Sequence, residues 1–326
     1  MDKLINQIKK LRLNSKWISL PFLIVIFYFI FKYFYNNIND LKEYEFSFHV
    51  TRLIVPGLLI WVAMTMNSFV YHKIISSLAP KAKLAQNIRI WFYSYLGRFF
   101  PGKIGLVASR IYLHKQQHIS GRIALFAFYL ETLISAITTV FIYLLSTIIY
   151  TYPFLQDYKI FSYVFLAACF IALHPRIIRF QLKLLMKFKG DEQKLDFNLN
   201  YPTLLFIFIL RIIIWCTLGL SFYFIINSFY SVPFSYFPYL TGIFALGAII
   251  GLFAVFAPTG LGVLEGILVL GLKYIVPDGI AVVISLSVRI VKVIAELSIV
   301  FIVYGIVKLF KLGSNESIMD MGKLNE

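Results

Sequence analysis

Long runs of apolar residues, separated by short polar segments, dominate the chain. A membrane-spanning helix needs about 20 consecutive apolar residues. Runs of roughly this length or longer predict six spanning helices, at 17–35, 53–71, 123–150, 154–173, 204–226 and 280–310. The first run follows several lysines, as in a signal peptide, but no small-residue cleavage site comes after it. We therefore expect this span to be retained.

Two further apolar stretches, 88–109 and 237–276, do not fit simple spans because proline and glycine interrupt each of them. The first is broken by Pro-Gly at 101–102 and the second by Pro-Thr-Gly-Leu-Gly at 258–262. Non-helical backbone at membrane depth is tolerated only where protein or a water-filled cavity satisfies its polar groups. We predict that both stretches form re-entrant hairpins.

Composition supports a membrane protein: 60% of the residues are hydrophobic and 14% are charged, whereas soluble domains are roughly half apolar and a quarter charged. The predicted fold is all-α and polytopic, in a single transmembrane domain with no room for a globular one. The net charge of +16 is spread over several short loops, so we expect no nucleic-acid partner.

Loop charges predict the orientation, because cytoplasmic loops carry an excess of lysine and arginine. With the N-terminus inside, the inner segments hold 21 basic residues and the outer loops hold 4. Both termini, including a tail at 311–326, are therefore predicted to be cytoplasmic.

The predicted elements repeat, since each half, about 17–152 and 153–310, has two spans, a broken hairpin and one more span. The break segments at 101–107 and 258–264 align with each other, each beginning with proline. Three spans per half is an odd number, so the second half is inverted and the two hairpins enter from opposite sides. Inverted repeats with interrupted helices form the substrate sites of many transporters.

Charged residues on the last span share one helical face, because Arg289, Lys292 and Glu296 occupy positions i, i+3 and i+7. A charge at the bilayer centre costs about 2.5 to 3.5 kcal/mol on insertion scales. The stripe is therefore predicted to face the protein interior. It either binds substrate or forms an internal ion-pair network, for example between Lys292 and Glu296.

The other embedded carboxylates also allow two interpretations. Glu131 either balances charge or carries a proton during function, or it is paired with Arg289 or Arg98. Glu265 follows the second break in the first helical turn, where a carboxylate complements the helix dipole; at membrane depth, protonation or pairing is the favoured role. Arg211 is expected to snorkel toward the cytoplasmic surface.

The break at 101–102 places basic side chains next to glycine backbone. Arg98 and Lys103 flank it, and Gly102 and Gly105 have no side chains that would keep a ligand from the backbone amides. Such a combination suits a phosphate group. The alternative is that Lys103 and Arg110 only anchor the hairpin to anionic headgroups.

Together, both breaks and the last span predict a substrate-binding site. Its predicted members are Arg98, Pro101, Gly102, Lys103, Gly105, Pro258, Gly260, Gly262, Arg289 and Lys292, with Glu131, Glu265 and Glu296 as charge-balancing or proton-carrying groups. No catalytic residue, cofactor or metal site is predicted, since the histidines at 114 and 118 have no third ligand nearby in the sequence.

The motif GRFFPGKIG at 97–105, the motif APTGLGVLEG at 257–266 and the charged final span resemble the transmembrane-region family of lysylphosphatidylglycerol synthases, the flippase-like domain. The resemblance extends from roughly residue 15 to 310. The first motif departs from the commoner family form, which has glutamate where Leu106 stands here. The synthases carry an additional soluble aminoacyl-transfer domain; the chain ends at Glu326 without one, so we do not expect lysyl transfer.

The resemblance implies a protein of a prokaryotic cytoplasmic membrane that moves or presents lipids with phosphate headgroups, either phospholipids or polyprenyl-phosphate-linked intermediates. We predict a non-enzymatic lipid transporter for envelope assembly, with that lipid, the bilayer and envelope-biosynthesis enzymes as partners. One alternative is a glycosyltransferase, which needs a carboxylate pair or base and would place Glu131 and Glu265 within about 6 Å. The other is a non-transporting accessory protein whose embedded charges are all paired.

Overall fold

The computed structural model describes residues 50–80, 82–99, 104–150, 200–254 and 260–309, with isolated positions between 160 and 180. Within these segments the chain is helical and contains no strand. Three predicted elements fall wholly or mostly outside the described residues: the spans at 17–35 and 154–173 and the tail at 311–326.

The described segments contain eight α-helices, joined by short 3₁₀ turns at Val50–Leu53, Leu96–Phe99 and Phe234–Tyr236. The helices are α1 (Ile54–Leu78), α2 (Leu84–Tyr95), α3 (Ile104–Lys115), α4 (Gly121–Ile149), α5 (Tyr201–Asn227), α6 (Phe237–Phe253), α7 (Val263–Leu272) and α8 (Asp278–Leu309).

The all-α membrane fold is confirmed. Helices α1, α4, α5 and α8 cover four of the predicted spans, and each is long and apolar enough to cross a membrane. The segment Phe234–Phe253, which includes α6, also meets this criterion, although it was predicted as one arm of a re-entrant hairpin. At 20 residues it is about 30 Å long, enough to cross the hydrocarbon core alone. The number of spans and the inverted repeat therefore stay predictions.

Helix starts follow local capping signals. The side chain of Ser120 accepts a hydrogen bond from the backbone of Arg122 at the start of α4. At the start of α5, Asn200 Oδ1 accepts a hydrogen bond from Thr203 N at 3.0 Å, and Pro202 occupies the first turn. These contacts satisfy amides that have no partner inside the helix.

Helix α1 lies at the centre of the described bundle, in contact with α2, α4, α5 and α8, while α6 packs against α4, α5 and α7. Two side chains tie α1 to its neighbours. Trp61 Nε1 donates to the carbonyl of Ala295 on α8 at 2.9 Å, and Ser221 Oγ on α5 donates to the carbonyl of Pro56 at 3.0 Å. The first described helix is therefore hydrogen-bonded both to α5 and to the last described helix, α8.

Each helix break is flanked by a close contact between two glycine backbones. A Cβ added at Gly97 would lie 2.4 Å from the carbonyl carbon of Gly105, and one added at Gly260 would lie 2.9 Å from Cα of Gly251. Gly260 also has a φ of 68°, which favours glycine. The backbone of Gly105 thus packs closely against Gly97, and its predicted role in ligand approach stays a prediction.

Candidate functional site

Three carboxylates lie inside the helix bundle, and each forms an ion pair with an arginine from another element. Glu131 on α4 pairs with Arg110 on α3, Glu296 on α8 pairs with Arg98 after α2, and Glu265 on α7 pairs with Arg289 on α8. Because unpaired charge is costly at membrane depth, each pair lowers the cost of burying its carboxylate and its arginine.

The first group, here called the Glu131 cluster, places two arginines on one carboxylate. Arg110 pairs directly with Glu131 and donates through Nε to Ser94 Oγ at 3.1 Å. Arg211 Nη2 lies 3.8 Å from Glu131 Oε1, and Trp91 Nε1 donates to the same oxygen at 3.0 Å. The side chains of Arg110 and Arg211 are only 3% and 8% exposed. The cluster therefore contains one more positive charge than negative charge.

Aromatic and neutral polar groups complete the surroundings of the Glu131 cluster. The guanidinium of Arg110 lies 4.3 Å from the ring centroid of Tyr71, whose hydroxyl is 2.8 Å from His114 Nε2. Burial, together with the positive charge of Arg110, lowers the pKa of His114 to about 4. Arg211 Nη1 donates to Asn67 Oδ1, a neutral acceptor.

The second group, here called the Glu296 cluster, contains Glu296, Arg98, Tyr95 and Lys292. Arg98 Nη1 lies 3.0 Å from Glu296 Oε1, and the hydroxyl of Tyr95 donates to the same oxygen at 2.8 Å. The Arg98 side chain is 20% exposed, compared with 4% for Glu296. Arg98 is thus the more accessible partner of this pair.

Lys292 lies one turn before Glu296 on the same face of α8. Its ammonium is 5.6 Å from the ring centroid of Phe244, and in the described part of the chain no carboxylate oxygen lies within 4.0 Å of it. Lys292 and Ser221 line a cavity of about 10 Å³, which has room for about one water molecule. The Glu296 cluster therefore also holds two cations and one carboxylate.

The third group is a simple pair that also forms the start of a helix. Glu265 accepts a hydrogen bond from Gly262 N at 2.6 Å and pairs through its other oxygen with Arg289 Nε. Gly262, with a φ of 83°, precedes α7, so Glu265 lies in the first turn as predicted. The carboxylate complements the helix dipole and the arginine together.

Helix α2 connects the Glu131 cluster to the Glu296 cluster. Trp91 and Tyr95, one turn apart, donate to Glu131 and Glu296 respectively, and their ring centroids are 4.9 Å apart. Two side-chain hydrogen bonds, joined by the contact between the rings of Trp91 and Tyr95, thus link α4 through α2 to α8.

Comparison with known proteins identifies the family. The family model for the lysylphosphatidylglycerol synthase TM region matches residues 16–298. The chain belongs to this family. The match includes every described residue of the two clusters, and it confirms the resemblance seen in the sequence motifs. No curated protein matches the chain significantly.

In this member of the lysylphosphatidylglycerol synthase transmembrane-region family, the ion pairs differ from those considered from sequence. Glu131 pairs with Arg110 and Arg211, whereas the pairing considered as one alternative was with Arg289 or Arg98. The reason is packing, because α4 lies against α3 and α5, the helices that carry these two arginines. The expected pairing of Lys292 with Glu296 is likewise replaced, since Glu296 pairs with Arg98.

Two residues outside the predicted site are the main finding that sequence reasoning missed. Contact with lipid headgroups was one of two interpretations for Arg110, and Arg211 was expected to snorkel, but both are buried against Glu131. The sequence did contain a signal for Arg211. It lies ten residues after Tyr201, about 15 Å along α5, in an apolar run too deep for simple snorkelling.

Of the remaining predicted site residues, Pro101, Gly102, Lys103 and Pro258 lie outside the described residues. Arg289 and Glu296 are seven residues apart on α8, which corresponds to about 10 Å along the helix. Glu131 and Glu265 share no ion-pair partner among the described residues. The assignment of these residues to substrate binding stays a prediction for this family member.

Proposed function

We propose that this chain moves an anionic, phosphate-containing lipid across the cytoplasmic membrane of a prokaryote during cell-envelope assembly. The lipid is a phospholipid or a polyprenyl-phosphate-linked intermediate. The observation that carries the proposal is the Glu296 cluster, in which Glu296 pairs with Arg98 and Lys292 lies one turn away, next to the Glu265–Arg289 pair, within a multi-pass membrane protein of this family.

Electrostatics favours an anionic ligand at this cluster. Its described groups sum to one excess positive charge, and a buried charge without a counter-charge is strongly destabilising. The phosphodiester of a lipid headgroup carries the single negative charge that neutralises the cluster. The acyl chains of the lipid stay in the hydrocarbon core of the membrane, so only the headgroup has to enter the polar interior of the protein.

The geometry of Arg98 suits phosphate. One nitrogen, Nη1, contacts both Tyr95 and Glu296, whereas Nε and Nη2 have no acceptor among the described residues. A guanidinium presents its donors in a planar fork that matches two phosphate oxygens. Arg98 is also partly exposed, so the headgroup reaches these donors without displacing the core.

The proposed cycle exchanges counter-ions. The headgroup phosphate takes the place of Glu296 beside Arg98. It then contacts Lys292 and Arg289, which lie one and two turns before Glu296 on α8. The two halves then rock about the site so that it opens to the other leaflet, as in transporters with inverted repeats. Glu131 and Glu265 balance the charge of their own arginines, and envelope-biosynthesis enzymes supply or receive the lipid.

A vesicle assay tests the proposal. The purified chain is reconstituted into vesicles that contain a trace of phosphatidylglycerol with a fluorophore on one acyl chain and an unmodified headgroup. Dithionite quenches only the fluorophore in the outer leaflet, so the loss of fluorescence over time reports movement of the labelled lipid to that leaflet. Lys292→Gln is expected to slow phosphatidylglycerol movement about tenfold or more, because it removes a charge-assisted contact. Lys308→Gln is the matched control, since this lysine lies on the same helix and is exposed.

Two outcomes would contradict the proposal. One is a Lys292→Gln protein that moves phosphatidylglycerol as fast as the Lys308→Gln protein. The other is a native chain that moves lipid no faster than protein-free vesicles, which would favour the accessory role instead. Equal movement of phosphatidylcholine and phosphatidylglycerol would refute the anionic preference.

A further inference from the structure

The Glu131 cluster repeats the construction of the Glu296 cluster. Each has two cations beside one carboxylate, and in each an aromatic donor on α2 contacts the Oε1 atom of that carboxylate. Each also stacks an arginine on a tyrosine ring, with centroid distances of 4.3 Å for Arg110 and 4.7 Å for Arg98. The same chemistry therefore occurs twice, one helical turn apart along α2.

Arg211 carries the excess charge of the Glu131 cluster. Arg110 makes the direct ion pair, while Arg211 is 3.8 Å from the carboxylate and donates otherwise to the neutral oxygens of Asn67 and the Glu131 backbone. Its Nε atom is buried and has no hydrogen-bond partner among the described residues. A buried guanidinium with an unused donor and an incompletely shared counter-charge is a site for an anion.

We infer that the Glu131 cluster is a second anion-binding subsite, in which Arg211 and Arg110 hold the phosphate of the same lipid headgroup. The inference rests on the proposed function for the nature of the ligand. The headgroup then occupies two positions, the Glu296 cluster and the Glu131 cluster, and Trp91 and Tyr95 lie between them. At the Glu131 cluster the phosphate binds the unused donor of Arg211 and balances the excess positive charge, while Glu131 keeps its contact with Arg110.

The test uses Trp91 as a local reporter, because its indole N–H contacts Glu131 and changes surroundings when an anion enters. The full chain in a neutral maltoside detergent is titrated with dihexanoyl phosphatidylglycerol, and tryptophan emission is recorded. Parallel titrations use dihexanoyl phosphatidylcholine and inorganic phosphate. A Trp91→Phe protein supplies the background from the other three of the four tryptophans.

The decisive variant is Asn67→Asp, which gives Arg211 a carboxylate in place of its neutral acceptor and so removes the excess charge. It also removes the hydrogen bond from Asn67 Nδ2 to the Ala63 carbonyl, a loss that the control below shares because Asn227 Nδ2 donates to the Tyr223 carbonyl. Its apparent affinity for phosphatidylglycerol is expected to fall about tenfold or more. Asn227→Asp is the matched control, because it makes the same change on α5 about 24 Å from Arg211. Arg211→Gln should show the same loss, with folding checked by size-exclusion chromatography.

The outcomes separate this inference from the proposed function. If Asn67→Asp binds phosphatidylglycerol as tightly as Asn227→Asp, the cluster is structural and the inference is wrong. If inorganic phosphate gives the same Trp91 response, the subsite does not belong to a lipid headgroup. Lys292→Gln should retain the Trp91 response while losing transport, so a failure of the transport assay leaves the binding result interpretable.

Discussion

Replacing Glu131 with glutamine should destabilise the protein more than replacing its direct partner Arg110 with methionine. Glu131→Gln keeps the shape of the side chain but removes the only carboxylate that contacts Arg110 and Arg211 in the described residues. Two buried guanidinium groups are then left without a counter-charge. Arg110→Met leaves Glu131 with Arg211 and with the hydrogen bond from Trp91.

The magnitudes follow from these contacts. Breaking a buried ion pair by removing one partner costs about 3 to 5 kcal/mol, and Glu131→Gln removes the counter-charge of two cations. We expect a loss near the upper end of this range. Arg110→Met removes one charge-assisted hydrogen bond to a carboxylate that keeps another cation, which corresponds to about 1.5 to 3 kcal/mol.

The assay is reversible unfolding in mixed micelles, with the fraction of sodium dodecyl sulfate increased and tryptophan fluorescence recorded. The free energy of unfolding is compared among the native chain, both variants and Lys308→Gln. The exposed Lys308 control should stay within about 0.5 kcal/mol of the native chain. If Arg110→Met is the more damaging change, or if Glu131→Gln costs less than about 1 kcal/mol, the assigned charge balance is wrong.

Two further predictions use the same unfolding assay. Gly97→Ala should lower the free energy of unfolding by about 1 to 3 kcal/mol or more, because its Cβ would lie 2.4 Å from the backbone of Gly105. Gly305→Ala in α8, where an added Cβ would have no neighbour within 4 Å, should raise it by up to about 1 kcal/mol. Equal effects of the two changes would contradict the close contact between Gly97 and Gly105. Because burial lowers the pKa of His114 to about 4, the unfolded chain binds a proton first as pH falls. Stability should therefore be full above about pH 6.5 and decrease toward pH 4, and His114→Gln should abolish most of this dependence.

The helices and their breaks could be predicted because their signals are local. A long apolar run indicates a span, and proline with glycine indicates an interruption between helices, as between the end of α6 at Phe253 and the start of α7 at Val263. The placement of Glu265 in the first turn of α7 followed from the same local reasoning. Each of these inferences needs only residues within one helix or one break.

The ion pairs could not be predicted because their partners are distant in sequence. Arg98 and Glu296 are separated by 198 positions, and the choice of partner depends on which helices pack together. Helical periodicity places Lys292 and Glu296 on one face, yet it does not show that Arg98 reaches Glu296 from another element. The number of positions between two charges therefore carried little information about their pairing.

The position of α2 connects the architecture to the proposed mechanism. Trp91 contacts Glu131 and Tyr95 contacts Glu296, and these carboxylates belong to different predicted halves. In the proposed cycle, rocking one half against the other breaks the contacts of Glu296 with Tyr95 and Arg98. The contacts of Glu131 with Trp91 and Arg110 stay within the first predicted half. A headgroup phosphate beside Arg98 substitutes for Glu296 and lowers the cost of that separation. In the proposed mechanism, anion binding is thereby coupled to the movement of the halves at the Arg98–Glu296 pair, and the Arg211–Glu131 contact also joins the two predicted halves.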